Sequence, residues 1–159
     1  MQESQKRVEE AIAAFKRGEL IVVADDNDRE NEGDLFVAAS LCTPDKMAFI
    51  IRHTSGIVCA PVAADDARRL HLDPMVAAND APLGTAFTVS VDYRHGLTTG
   101  ISAEERTNTV RGLANDCPST VTCKPPGLVP TVSVAVFGRM SCVTVRDCPA
   151  ESVTVNVTR

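Results

Sequence analysis

The sequence has no excess of positive charge: 16 Lys and Arg residues face 21 Asp and Glu residues, and the formal net charge is −5. Because it carries no basic patch, nucleic acid is not an expected partner. No run of 18 apolar residues occurs, so we expect no membrane span. Residues 1–6 lack the apolar core of a signal peptide, which predicts a cytoplasmic protein with reduced thiols.

Histidine is also scarce: the chain has three, and none follows His95. Internal repeats and low-complexity linkers are absent from the sequence. At 159 residues the chain is long enough to form one domain with a buried core. We therefore predict a single domain over residues 1–159.

An acidic segment, residues 25–35, is the most informative feature that is present. Six of its eleven residues are carboxylates: Asp25, Asp26, Asp28, Glu30, Glu32 and Asp34. The segment lies between two apolar runs, residues 20–24 and 35–39, which predict two buried strands. In an extended chain the even-numbered positions from 26 to 34 would share one face.

Carboxylates crowded in this way repel one another, and a bound cation would relieve the repulsion. Their oxygens suit a hard divalent ion such as magnesium or calcium. Arg29 adds a planar guanidinium that can bind a phosphate or carboxylate. Two alternatives are a solvated acidic loop and a calcium-binding loop of the EF-hand kind. The EF-hand fits poorly, because Gly33 is not at the sixth loop position and the flanks predict strands.

Helices and strands alternate along the chain up to about residue 115. The predicted elements are a helix between Ser4 and Gly18, strands over 20–24 and 35–39, a helix from Thr43 to Ser55, a strand over 56–62, a short helical turn from Asp65 to Leu70, a strand over 85–93 and a helix that begins with a capping box at Ser102. This order predicts a mixed sheet with covering helices.

Three further segments accompany the acidic one: RHTSGIVC at 52–59, GTAFTV at 84–89 and LTTGISAEER at 97–106. Together they resemble the 3,4-dihydroxy-2-butanone 4-phosphate synthase family over about residues 5–115. The resemblance implies an α+β fold and a homodimer with active sites at the subunit interface. It also implies a magnesium-dependent lyase of riboflavin biosynthesis, with manganese as an alternative ion. That lyase converts D-ribulose 5-phosphate into formate and 3,4-dihydroxy-2-butanone 4-phosphate.

The resemblance also assigns roles within the acidic segment. It makes Glu30 the metal ligand. Arg29, Glu30 and Asp34 become contacts of the sugar phosphate, and Glu30, Glu32 and Asp34 become catalytic residues. The chemistry is suitable, since proton removal beside a carbonyl needs carboxylates that shuttle protons and a cation near the developing oxyanion.

Three residues outside the acidic segment complete the implied site. Cys59 is implied as catalytic, and Thr98 and Thr99 as substrate-binding. From the residues alone, Cys59 is equally a small core residue of an apolar strand. Thr98 and Thr99 are equally ordinary turn residues.

Residues 117–159 depart from the family pattern, as a truncated or diverged end after residue 116. The family places a second metal ligand, a histidine, in this region, and the chain has no histidine after His95. We therefore expect weak turnover. The alternative is a non-catalytic relative that keeps the fold and binds a sugar phosphate or a partner chain. The segment itself is either a diverged set of strands or a frame-shifted C-terminus.

Valine and cysteine dominate this last segment. Val132, Val134 and Val136 alternate with smaller residues and predict a strand. Cys117, Cys123, Cys142 and Cys148 form two pairs with five residues inside each pair. Structural zinc sites usually have two to four residues inside a pair, so zinc is not favoured and the role of these cysteines stays open.

Overall fold

The computed structural model describes residues 2–24, 32–80, 87–115, 121–123 and 133–136. Its helices are α1 (Gln2–Lys16), α2 (Pro44–His53), α3 (Ala64–Arg69) and α4 (Ala103–Ala114), with a 3-10 turn at Ala39–Leu41. Its strands are β1 (Ile21–Ala24), β2 (Gly33–Phe36), β3 (Cys59–Val62), β4 (Val91–Tyr93), β5 (Val121–Cys123) and β6 (Ser133–Val136).

The strands of the described residues form three pairs of mixed direction. β1 and β2 are antiparallel, with Val23 opposite Asp34. β4 and β5 are also antiparallel, whereas β3 and β6 are parallel, with Cys59 opposite Ser133. Parallel and antiparallel pairs interleaved with helices confirm the predicted α+β fold class. They also confirm two paired strands on either side of the acidic segment. The second strand was placed too late at 35–39: it is Gly33–Phe36, and Ala39 already begins the 3-10 turn.

The prediction that β1 is buried is wrong. Val22 is 71% exposed and Val23 is 45% exposed. An apolar run predicts burial when other elements cover both faces of the strand. Here, within the described residues, β1 pairs with β2 alone, and a two-stranded hairpin covers little of its own surface. After β1, the first buried residues of the described chain are Val37, Ala38 and Ala39.

The start of α1 also differs from the prediction. As a serine before an apolar-periodic segment, Ser4 is predicted to be the N-cap, but the helix begins at Gln2 and includes Ser4. The earlier start is favoured by good helix formers and by an ion pair between Arg7 and Glu3, whose charged atoms are 3.0 Å apart.

Two other helix boundaries confirm their predictions. Gly18 adopts φ 77° after α1 and donates its N–H to the Phe15 carbonyl at 2.9 Å. Thr43 caps α2, because its hydroxyl accepts a hydrogen bond from the Lys46 N–H at 3.4 Å. Pro44 occupies the first position of α2, where its missing N–H is not needed.

The strand predicted over residues 85–93 is shorter than expected. Only Val91–Tyr93 forms a strand, and Thr88 makes an isolated bridge to Pro74. The bridge is held by two backbone hydrogen bonds of 2.9 Å, in which the Met75 N–H donates to the Phe87 carbonyl and the Val89 N–H donates to the Asp73 carbonyl. Residues 85 and 86 lie outside the described residues.

The core lies between helices α2 and α4 and strands β3 and β4. Its fully buried apolar side chains include Met47 and Ile50 of α2, Val58, Val91 and Val110. Thr109 fixes α4 on β4, because its Oγ1 accepts a hydrogen bond from the Tyr93 N–H at 2.9 Å. The middle of α4 is thereby held against β4.

In the described part of the chain, no helix is long and apolar enough to cross a membrane.

Candidate active site

The β1–β2 hairpin carries the acidic segment. Asp34 lies in β2 and Glu32 directly precedes it; both side chains are half-buried. Arg29 and Glu30 fall within residues 25–31, outside the described residues. Their predicted contacts with metal and sugar phosphate therefore stay predictions. The hairpin pairing does bring the two ends of the segment together, with Ala24 opposite Gly33.

Cys59 begins β3 and is buried. Burial, and after it the negative charge of Asp34, together raise the pKa of its thiol to about 11. The structure therefore brings together two predicted site residues, Asp34 and Cys59, from different strands. At neutral pH the thiol is protonated, so it offers a neutral S–H rather than a nucleophilic thiolate.

Glu105 organises the loop that contains Thr98 and Thr99. Its Oε1 accepts hydrogen bonds from the Thr98 N–H at 2.5 Å and the Thr98 hydroxyl at 2.8 Å. Its Oε2 accepts from the Gly100 N–H at 3.0 Å and the Ser102 hydroxyl at 3.1 Å. These bonds, those from Thr98 first, lower the pKa of Glu105 to about 2. The carboxylate is therefore ionised at any physiological pH.

The predicted capping box is part of this arrangement. Ser102 is the N-cap of α4, and its hydroxyl accepts from the Glu105 N–H at 3.1 Å. The sequence identified Glu105 as a capping residue only. Its bonds to Thr98 and Gly100 were missed, although a glycine-bounded loop directly before a capping box was the signal that could have indicated them.

Arg106, the next residue of α4, connects this region to the loop before β3. It is 7% exposed, and its Nη1 donates to the Gly56 carbonyl at 2.8 Å. Burial lowers its pKa, and the nearby Asp92 carboxylate opposes that change. Sequence reasoning gave Arg106 no role. Its position, four residues before the buried Val110 on the same helix, was the available signal.

Magnesium fits the chemistry of the acidic hairpin. Glu32 and Asp34 provide carboxylate oxygens, the ligand type that magnesium prefers. Among the residues that the structure describes, no group of three or more His, Cys, Asp or Glu side chains is arranged to hold an ion. Glu32 and Asp34 are therefore two candidate oxygen ligands, and the role of Glu30 as the metal ligand stays a prediction.

Comparison with known proteins decides the family. The sequence model of the family described as 3,4-dihydroxy-2-butanone 4-phosphate synthase matches residues 9–152. The chain belongs to this family. The match continues past residue 115, further than the motifs alone supported. The single domain over residues 1–159, with a truncated or diverged end after residue 116, stays a prediction.

Individual synthases and related enzymes show the same likeness. The chain is 52% identical over 108 residues to the 3,4-dihydroxy-2-butanone 4-phosphate synthase of Candida albicans, covering 68% of this chain and 53% of that one. It is 54% identical over 110 residues to the bifunctional riboflavin biosynthesis protein RIBA 1, chloroplastic, of Arabidopsis thaliana, covering 68% of this chain and 20% of that one. The chain thus spans about half the length, or less, of these curated relatives.

Solved synthase structures match the fold. A synthase in complex with two magnesium ions superposes with a TM-score of 0.82 at 37% identity, covering 95% of this chain and 74% of that one. A cation-free synthase structure gives a TM-score of 0.77 at 36% identity over the same shares. These matches confirm both the family and the fold that the motifs predicted.

Proposed function

We propose that this chain is a magnesium-dependent lyase that converts D-ribulose 5-phosphate into 3,4-dihydroxy-2-butanone 4-phosphate and formate in riboflavin biosynthesis. The observation that carries the proposal is the family match over residues 9–152. The relatives' names support the pathway, and the related structure with two magnesium ions supports the metal. Manganese is an alternative ion of the same chemistry.

The acidic hairpin would provide the acid–base groups. Arg29 would orient the phosphate by charge-assisted hydrogen bonds, and Glu30 would hold magnesium. Bound magnesium supplies positive charge beside oxygens that become negative when a proton leaves the carbon next to the carbonyl. Glu32 and Asp34 would receive and return protons at their carboxylate oxygens.

Cys59, Thr98 and Thr99 would line the substrate. The raised pKa of Cys59 supports a neutral thiol that excludes water or donates a weak hydrogen bond, instead of a covalent role. Thr98 is exposed at the loop that Glu105 holds, where its hydroxyl is accessible to a ligand. Both threonines keep their predicted substrate-binding role within this proposal.

The proposal includes a homodimer and a cytoplasmic location. The family's site spans two subunits, and the exposed valines of β1 are compatible with cover by a second copy. Cys42 and Cys59 are both free thiols, as a reducing compartment requires.

Glu30→Ala tests the function. With ribulose 5-phosphate and magnesium, we expect formate release to fall at least about tenfold, since even outer-shell changes at metal sites typically cost about 10–100-fold. Asp28→Ala is the matched control: it removes one carboxylate from the same segment and should have a much smaller effect. Equal rates for the wild type and Glu30→Ala would overturn the proposal.

A non-catalytic relative is the second candidate. The observation that favours it is the absence of any histidine after His95, where the family has a metal ligand. Weak turnover is expected for the same reason. If the wild type releases no formate above the buffer blank yet binds ribulose 5-phosphate in calorimetry, the non-catalytic reading replaces the lyase.

A further inference from the structure

In the loop Thr98–Ser102, three hydrogen-bond donors are directed at one carboxylate of the protein itself. The Thr98 N–H, the Thr98 hydroxyl and the Gly100 N–H each donate to the carboxylate of Glu105, at 2.5, 2.8 and 3.0 Å. Glycine-rich loops that bind phosphate do the opposite and direct backbone N–H groups at the ligand. This loop therefore does not use those three donors to hold a phosphate.

The hydrogen bond from the Thr98 hydroxyl to Glu105 also determines whether Thr98 Oγ1 can donate to a ligand or only accept from it. A hydroxyl has one donor proton and two acceptor lone pairs. The proton of Thr98 Oγ1 is committed to Glu105, which accepts only, because the pKa of this carboxyl is about 2. The oxygen can still accept, and Thr98 is exposed. A sugar hydroxyl can donate to it, whereas the oxygens of an ionised phosphate cannot.

We propose that Glu105 is a positioning residue, which orders residues 98–102 and fixes Thr98 Oγ1 as a hydrogen-bond acceptor for a hydroxyl group of the substrate. The assignment rests on the proposed function, because it takes the sugar phosphate as the ligand of Thr98. It gives a role to Glu105, a residue that does not contact the substrate. It also fixes the direction of the hydrogen bond at Thr98: the substrate hydroxyl donates and Thr98 Oγ1 accepts.

Glu105→Gln is the direct test, because glutamine has the same shape but only one acceptor oxygen. Its NH2 group must face either the Thr98 side or the Gly100 side, so the backbone N–H of Thr98 or of Gly100 loses its acceptor. The hydroxyl on that side must turn round and accept from the NH2 group instead of donating. Glu104→Gln is the matched control, since Glu104 is exposed in the same first turn of α4. We compare both variants with the wild type by amide hydrogen exchange and by the kinetics of formate release with magnesium.

We expect Glu105→Gln to speed exchange at Thr98 and Gly100 while residues 107–114 stay protected. We also expect KM to rise about tenfold with kcat within about twofold, the signature of lost uniform binding worth about one hydrogen bond. A variant that is merely less stable would lower the apparent kcat and leave KM unchanged. Either that result or an equal effect of Glu104→Gln overturns the proposal.

A double-mutant cycle with Thr98→Val tests whether Glu105 acts through Thr98. If it does, the double variant has a KM no higher than that of the worse single variant. If the two increases multiply, the proposal is wrong. Thr98→Ser keeps the hydroxyl and should restore a KM close to the wild-type value. If Glu105→Gln does not fold, the comparison of Thr98→Val with Thr98→Ser tests the acceptor role of Thr98. Equal KM values for these two variants overturn it.

The outcome also separates this inference from the proposed function. A wild type that binds ribulose 5-phosphate in calorimetry without releasing formate contradicts the lyase alone. In that case an approximately tenfold weaker Kd for Glu105→Gln supports the positioning role, and an unchanged Kd overturns it. A wild type that neither binds nor turns over ribulose 5-phosphate overturns both proposals.

Discussion

Cys59 shows how its surroundings decide the chemistry of a single side chain. Desolvation, and after it the negative charge of Asp34, together raise the pKa of its thiol to about 11. A thiol reacts with alkylating reagents as the thiolate, so the native protein should protect it over the neutral range.

We predict that iodoacetamide labels Cys59 of the native protein at pH 8 far more slowly than it labels the same residue in urea. The two causes are the raised pKa and the burial of the sulfur. Peptide mass spectrometry over a time course measures both rates. Labelling at the unfolded rate in buffer at pH 8 would contradict the pKa shift and the burial together.

Gly18 has both a positive φ and a close neighbour, whereas Gly96 has only the positive φ and Gly33 has neither. Gly18 adopts φ 77°, and an added Cβ would lie 2.8 Å from the Leu41 Cβ. Gly96 shares the positive angle, with φ 70°, but has nothing within 4 Å. Gly33 has its nearest neighbour atom at 3.8 Å, and its φ is not positive.

We predict that Gly18→Ala lowers the free energy of unfolding by about 2–4 kcal/mol, the sum of left-handed strain and overpacking. Gly96→Ala should cost only the strain, about 1 kcal/mol. Gly33→Ala should be close to neutral. Urea denaturation of the three variants measures the order, and equal losses for Gly18→Ala and Gly96→Ala would show that contact with Leu41 is unimportant.

At the scale of an element, α4 depends on the charge of Glu105. The pKa of this carboxyl is about 2 in the folded protein against an ordinary value of 4.5. A depressed pKa contributes stability above the unfolded value, and that contribution is lost as the pH falls through the folded value. The relevant window therefore runs from about pH 4.5 down to about pH 2.

We predict that the stability of the wild type falls through this window more steeply than that of Glu105→Gln, which has no titrating group at the position. Glu104→Gln should follow the wild-type curve. Urea midpoints at pH 5, 4, 3 and 2.5 give the comparison. Parallel curves for the wild type and Glu105→Gln would show that the folded pKa is not depressed.

The element boundaries that sequence predicted best are those set by local contacts. Thr43 and Ser102 cap their helices as expected, because each bond spans only three residues. The burial of β1 was predicted wrongly, because it depends on what covers Val22, a property of the fold rather than of the segment. β5 was not predicted at all, since Val121–Cys123 is too short to show alternation.

Part of the candidate site could be predicted from the sequence and part could not. The acidic segment and the loop that contains Thr98 and Thr99 were found through their motifs, and the family match confirms the resemblance. The roles of Glu105 and Arg106 became visible only when the fold was known, because Arg106 bonds to Gly56, which is far away in sequence. A motif indicates which residues matter but does not show which of them hold the others in place.

At the scale of the whole molecule, we predict a homodimer. Several large apolar side chains are exposed in the single chain, among them Val22, Ile57 and Ile101. Exposed apolar surface of this kind favours association. Sedimentation at micromolar concentration should give twice the chain mass of 17.0 kDa. A single 17 kDa species at every concentration would contradict the dimer.

The parallel pairing of β3 with β6 sets the order in which the chain can be completed on the ribosome. The hairpin β1–β2 and helix α2 are made early and need only neighbouring residues. Strand β3, which begins at Cys59, cannot pair with β6 until Ser133 has been synthesised. Until then the edge of β3 that pairs with β6 stays open. Closing so long a loop is slow, and the nascent protein is most prone to mispairing during that interval. Chaperone binding should therefore be most useful to this protein late in translation, after α4 has formed and before β6 emerges.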